Sequence, residues 1–216
     1  MNARRPTRRE VAAAETRREI LRTARRLFAG HGFTQTSVQQ IAEESGVAVQ
    51  TIYSSVGSKP ALVLALNDLI DEEAGVAQLA AGLSAETDPA QLIAKAVHLT
   101  RQLNERCGDI IQVLLSAGPA EPDAAAAVAD GMRRHEQGAS QIAQHLAKLG
   151  ALRAGTTAER AAAAISLLTS PASWRQLTQQ SGWTFAEGEA WLTSSLRELL
   201  LDHPAAGHRG PHAEQS

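Results

Sequence analysis

Apolar residues along this chain recur at helical rather than alternating spacing. Ile20, Leu21, Ala24, Leu27 and Phe28 share one face of a first helix. Thr16-x-x-Glu19 reads as a capping box that opens it, and Gly30-His31-Gly32 closes it. Val38, Ile41 and Ala42 then fall at i, i+3, i+4, with Gln39, Gln40, Glu43 and Glu44 outside, so a second, short helix is expected with Thr36 as its cap and Gln39 reaching back. Gly46 can take the left-handed conformation that stops it, and a third helix, roughly residues 48–55, turns Val47 and Ile52 inward. Ser58 caps a fourth, with Pro60 in the first turn where a missing N–H costs nothing, and the stripe Leu62, Leu66, Leu69, Ile70 predicts one long helix to about Leu79.

After a linker at LSAETD, Asp88-Pro89 opens a fifth helix with Leu92, Ala96, Leu99 and Leu103 inward, and Thr100, Asn104 and Cys107 at the edge of that apolar side. Ile110 to Leu115 reads as a short separate helix closed by Ala117-Gly118-Pro119. Val128, Met132, His135, Ala139, Ile142, Leu146 and Leu149 follow a 4-3-4-3 spacing that buries one face of the next. Thr156-x-x-Glu159 and Thr184-x-x-Glu187 open two further helices, the first with the small-residue face Ala161, Ala162, Ile165, Leu168, the second with Trp191, Leu192, Leu196, Leu199 and Leu200. The reading is an all-α protein of about nine helices: a flexible basic arm at 1–15, an N-terminal domain of short helices at 16–60, a larger helical domain at 61–201, and a disordered tail at 202–216.

Composition supports that class. Aromatics make up only 3% of the 216 residues and Ala is abundant. One cysteine, Cys107, excludes an internal disulfide and suits a reducing cytoplasm. No apolar run is long enough for a membrane span, so a soluble cytoplasmic protein is expected. The net charge of −2 hides an asymmetry: residues 1–60 hold ten Lys/Arg against five Asp/Glu, or +5, and residues 61–216 hold eleven against eighteen, or −7. A basic front end on an acidic body suits one polyanion-binding surface. In the arm, Arg4, Arg5, Arg8 and Arg9 are either a solvated tail or contacts to phosphate and minor groove. No HExxH, GxSxG, CxxC or Walker spacing occurs, so nothing supports an enzyme or a cofactor. His203, His208 and His212 lack the fixed scaffold a metal site requires.

Two helices joined by about three residues with a Gly between them cross steeply, as in a helix-turn-helix. Gln and Thr can read base edges, Val can meet a thymine methyl, and a Tyr hydroxyl suits a phosphate oxygen. Gln50, Thr51 and Val49 are therefore the expected base readers. Thr36, Tyr53 and Lys59 are the expected phosphate contacts, with Ser37 beside Thr36, and Lys59 stands at a helix N-terminus that favours anions.

The stretch IAEESGVAVQTIYSSVGSKPALV resembles the DNA-binding signature of the tetracycline-repressor (TetR) family, the likeness running from about Thr16 to Leu66. Two positions depart from it: Ala48 stands where a Ser, Thr or acidic residue is usual, and Ser54-Ser55 where an aromatic or His pair is common. The resemblance implies that 16–60 is a helix-turn-helix DNA-binding domain and 61–201 a ligand-binding and dimerisation domain. It further implies a homodimer, its last two long helices forming a four-helix bundle with a second copy, that binds a palindromic double-stranded operator as a repressor and releases it when a small-molecule effector enters the helical body. The alternative is a small-molecule binding protein of the same fold with little DNA affinity. Thr100, Asn104, Cys107 and His135 are the candidate effector contacts; each could instead be a polar group satisfied within the core.

Overall fold

The computed structural model describes residues 7–202 apart from 118, 120 and 121. They form α1 (Arg8–His31), α2 (Val38–Ser45), α3 (Val49–Ser55), α4 (Lys59–Glu73), α5 (Val76–Ser84), α6 (Pro89–Ala117), α7 (Pro122–Lys148), α8 (Ala158–Leu168), α9 (Pro171–Arg175), which runs into a π-helical turn at Gln176–Gln180, and α10 (Phe185–Leu200). The all-α class holds, and the lone β-bridge among the described residues joins Leu152 to Leu201.

Several expected starts move. The first helix opens at Thr7, whose hydroxyl accepts from Glu10 N while Glu10 returns the bond, so residues 8–15 of the expected flexible arm are helical. Thr16 lies inside that helix with its hydroxyl donating to Ala12 O, and it caps nothing. Arg4, Arg5 and the tail with His203, His208 and His212 lie outside the described residues. The α8 cap is Thr157 rather than Thr156. Thr184 and Glu187 do form the capping box of α10.

The long fourth helix is broken. Gly75, at φ 69°, turns the chain after Ala74, and α5 starts in a new direction. The expected separate helix at Ile110–Leu115 is instead the continuous end of α6. An apolar stripe survives a bend or a merger, which is why period alone did not locate either boundary.

Two buried clusters organise the fold. One joins Ile20, Leu27, Phe28, Phe33, Ile41, Ile52, Leu62 and Leu66 from α1 to α4 with Cys107 and Ile110 of α6 and Ala124 and Ala127 of α7. The other gathers Leu92, Val97, Ile142, Leu146, Ile165, Leu192, Leu196 and Leu200 around Trp174. The first cluster runs from the helix-turn-helix into the body, so α4 belongs to both. Arg25 reinforces that seam from α1, donating to Asp109 and to Arg106 O of α6 at 2.7 and 2.5 Å and pairing with Glu73 of α4.

Candidate nucleic-acid interface and ligand cavity

The helix-turn-helix forms as its punctuation predicts, with one correction. Gly46, at φ 69°, ends α2, and its N–H and that of Val47 bond back to carbonyls of the last turn. The N-cap, however, is Ser37: its hydroxyl accepts from Gln40 N, and Gln40 returns the bond to Ser37 N. Thr36 is 1% exposed, and its hydroxyl donates to Gly32 O at 2.9 Å. Its methyl and hydroxyl serve the α1–α2 turn, so Thr36 is withdrawn as both cap and phosphate contact.

In α3, Ile52 is fully buried, whereas Val49, Gln50 and Tyr53 are exposed and Thr51 is half-buried. Of the expected base readers, Val49 and Gln50 thus face outward and Thr51 stands half-covered, while the expected phosphate contact Tyr53 is exposed beside them. Ala48, the N-cap, makes no side-chain cap bond. The other end is better held, because Arg17 of α1 donates through Nη1 to Ser55 O at 2.7 Å, placing a cation at a helix C-terminus. Arg26 of α1 pairs with Glu44 of α2 at 2.7 Å. Recognition-helix orientation therefore depends on α1.

Lys59 begins α4, and its ammonium lies 4.2 Å from the centre of the Phe33 ring. Ser58 makes no side-chain cap bond, which leaves the first-turn N–H groups of α4 open to an anion beside that ammonium. Neither Arg8 nor Arg9 is buried; both stand exposed on the first turn of α1.

A cavity of about 560 Å³ lies in the body between α4, α5, α6, α7, α8 and the start of α9. Thr100, Asn104 and His135 line it, as expected; Cys107 does not. Cys107 is fully buried on the side of α6 that meets α1, and burial pushes its thiol up to about 11, so it packs as a neutral hydrophobe. The polar atoms on the wall are engaged by the protein. Thr100 Oγ1 donates to Val97 O and accepts from Trp174 Nε1 at 3.1 Å; Asn104 Nδ2 donates to Thr100 O; His135 Nε2 meets Ser166 O at 2.9 Å.

Other wall residues were not visible as a site in the sequence. Asn67 of α4, 6% exposed, donates through Nδ2 to Ala127 O and to Asp130 Oδ2 of α7. Arg134 of α7 bonds Asp130, Asp71 and Asp68 at 2.7–2.8 Å. Burial pushes the Asp71 carboxyl up against the pull of Arg134, while Asp68 and Asp71 overcome burial and hold Arg134 above its ordinary range. Of the side chains that fix α4 to α7, Asn67, Asp71 and Arg134 are thus also cavity wall. Among the described residues, no group of His, Cys, Asp and Glu could hold a metal, and no helix is long and apolar enough to cross a membrane.

Residues 20–66 match the family model for the bacterial regulatory proteins of the tetR family. No curated protein matches the sequence. Similar solved structures include a candidate transcriptional regulator from Saccharomonospora viridis in complex with choline, 22% identical over 88% of this chain and 100% of that one, TM-score 0.68. A candidate TetR-family transcriptional regulator from Syntrophomonas wolfei is 16% identical over 86% of this chain and 95% of its own, TM-score 0.69. The SmeT–triclosan complex is 15% identical over 88% and 93%, TM-score 0.69. At these identities the shared property is the fold.

Proposed function

Since this chain has the fold and the DNA-binding domain of a TetR-family transcriptional regulator, we propose that it is a homodimeric repressor released from a palindromic operator by a small-molecule effector. The observation that carries the reading is α4 itself. Its first residue, Lys59, stands beside the recognition helix, and Asn67, Ile70 and Asp71 farther along it form cavity wall. Over 15 residues this spans about 22 Å at helical rise. A ligand that fits the cavity better when α4 is displaced would draw Lys59 and the helix-turn-helix away from their DNA-bound positions. That is coupling by differential affinity, typically about 1–3 kcal/mol.

In this reading Gln50, Thr51 and Val49 read bases, and Tyr53, Lys59 and Ser37 position phosphates. The apolar Leu167, Trp191 and Leu199 are exposed on α8 and α10, which supports a second copy seated on those helices. A two-fold dimer would present two recognition helices to successive major grooves about 34–36 Å apart. The uncapped Ala48 favours the second reading, a ligand-binding protein with little DNA affinity. The deciding experiment is selection of bound sequences from random DNA, repeated with candidate effectors. A palindrome with half-sites one turn apart supports the repressor, and absence of any sequence preference at moderate salt would favour the alternative.

A further inference from the structure

We propose that the cavity selects an aliphatic ligand whose head group donates hydrogen bonds, a hydroxyl rather than a carboxylate; the inference rests on reading the cavity as the effector site. Among the described residues no Phe, Tyr or Trp lines the wall, so it offers neither stacking on those rings nor an aromatic cage for a quaternary cation. Its packing surface is built from side chains such as Ile70, Leu99, Leu103 and Met132, which match a saturated body.

The polar atoms decide the head group. Thr100 and Thr169 donate their hydroxyl protons to Val97 O and Ile165 O at 2.9 and 2.7 Å. His135 Nε2 lies 2.9 Å from Ser166 O, and a carbonyl can only accept, so that nitrogen carries a proton and Nδ1 is the position left to accept when the ring holds one proton. Asn104 has spent one N–H on Thr100 O at 2.8 Å and keeps its carbonyl oxygen. Each group has given a donor to the backbone and retains at least one lone pair, Thr100 having also accepted from Trp174, and only Asn104 keeps a further N–H. Asp71 adds a carboxylate to the wall, and the nearby cation, Arg134, is already directed at Asp68, Asp71 and Asp130. Lys148, at the rim, is exposed, where pairing with an anion is screened by solvent.

A carboxylate drawn inside would set its own lone pairs against these, with the second Asn104 N–H as the one donor among these four groups, and would lose most of its hydration without replacement. A hydroxyl supplies the missing donor, and its apolar chain meets the aliphatic wall.

The test is calorimetric titration of the full chain, without DNA, with 1-decanol, decanoate and decyl methyl ether, which share a chain and differ in donor and charge. The alcohol is expected to bind at least about ten-fold more tightly than either of the others, on the scale of a buried hydrogen bond left unmade. In Asn104→Leu the preference for alcohol over ether should shrink. Decanoate or the ether matching the alcohol would overturn the proposal, as would an alcohol that does not bind. Donor-selective binding that leaves DNA affinity unchanged would uphold the ligand chemistry and count against the repressor reading.

Discussion

Arg134 of α7 and Asp71 of α4 form an ion pair of 2.7 Å on the cavity wall, with each side chain 37% exposed. The same guanidinium holds Asp68 and Asp130, so α4 is fastened to α7 where a ligand would sit. Partial exposure screens the pair, so a double-mutant cycle of Arg134→Ala and Asp71→Ala in urea unfolding should give a coupling of about 0.5–1 kcal/mol. Strict additivity would mean that the pair fastens nothing.

Lys59→Ala should weaken binding to every DNA sequence alike and lower the slope of log affinity against log salt by about one unit. A salt titration with an unchanged slope would remove Lys59 from the phosphate contacts.

Gln50→Ala should leave the salt slope intact and relax the preference at one base pair per half-site, at a cost of about 1–3 kcal/mol there. Binding-site selection is the readout, and an unaltered sequence preference would assign base reading elsewhere on α3.

Ala48 leaves the N-terminal N–H groups of α3 without a side-chain cap. Ala48→Ser should therefore stabilise the protein by about 0.5–1 kcal/mol, seen as a raised midpoint in thermal or urea unfolding. An unchanged midpoint would show that those N–H groups lose nothing by having water as partner.

The Lys95 ammonium, with the backbone N–H groups of Asp88 and Thr87, holds the Glu86 carboxyl down at about 2. The unfolded value is about 4.3, so this contribution is complete above that pH and is lost as pH falls towards 2. Acid unfolding of Glu86→Gln should be flatter than that of the unmodified chain across this window. Superimposable curves would mean that the Glu86 contacts are not maintained in solution.

The sequence was most legible where a cap and a period coincide. At α10, Thr184, Glu187 and the Leu192, Leu196, Leu200 stripe specify one start and one buried face. At α2 they do not: Thr36-x-x-Gln39 and Ser37-x-x-Gln40 are equally good boxes, and the choice falls to Ser37 because Gly32 O and the buried Phe33 turn claim Thr36. Gly75 lay within an unbroken apolar stripe, and only its left-handed backbone reveals the bend.

The site divides the same way. The outward face of α3 follows from the single inward Ile52, so Val49, Gln50 and Tyr53 could be read directly. The cavity draws its wall from six helices, α4 to α9, and no local pattern unites Asn67 with Arg134. Thr100 and Asn104 stood out at the edge of an apolar face, and His135 because it interrupts one. Cys107 did so as well, but its face turns to α1, an orientation fixed by tertiary packing.

Trp174 is 1% exposed and donates from its indole nitrogen to Thr100 on the cavity wall, whereas Trp183 and Trp191 stack edge to face at 5.7 Å, with Trp191 half open to solvent. The molecule therefore contains two optically distinct indole environments, a dry one that lies behind Thr100, one side chain away from the cavity, and a wetter pair on the outer face of α10. Emission from the first should be blue and should respond to occupancy, while collisional quenchers should reach the second and be excluded when another chain covers it. Ligand entry and self-association can then be followed in one unlabelled sample.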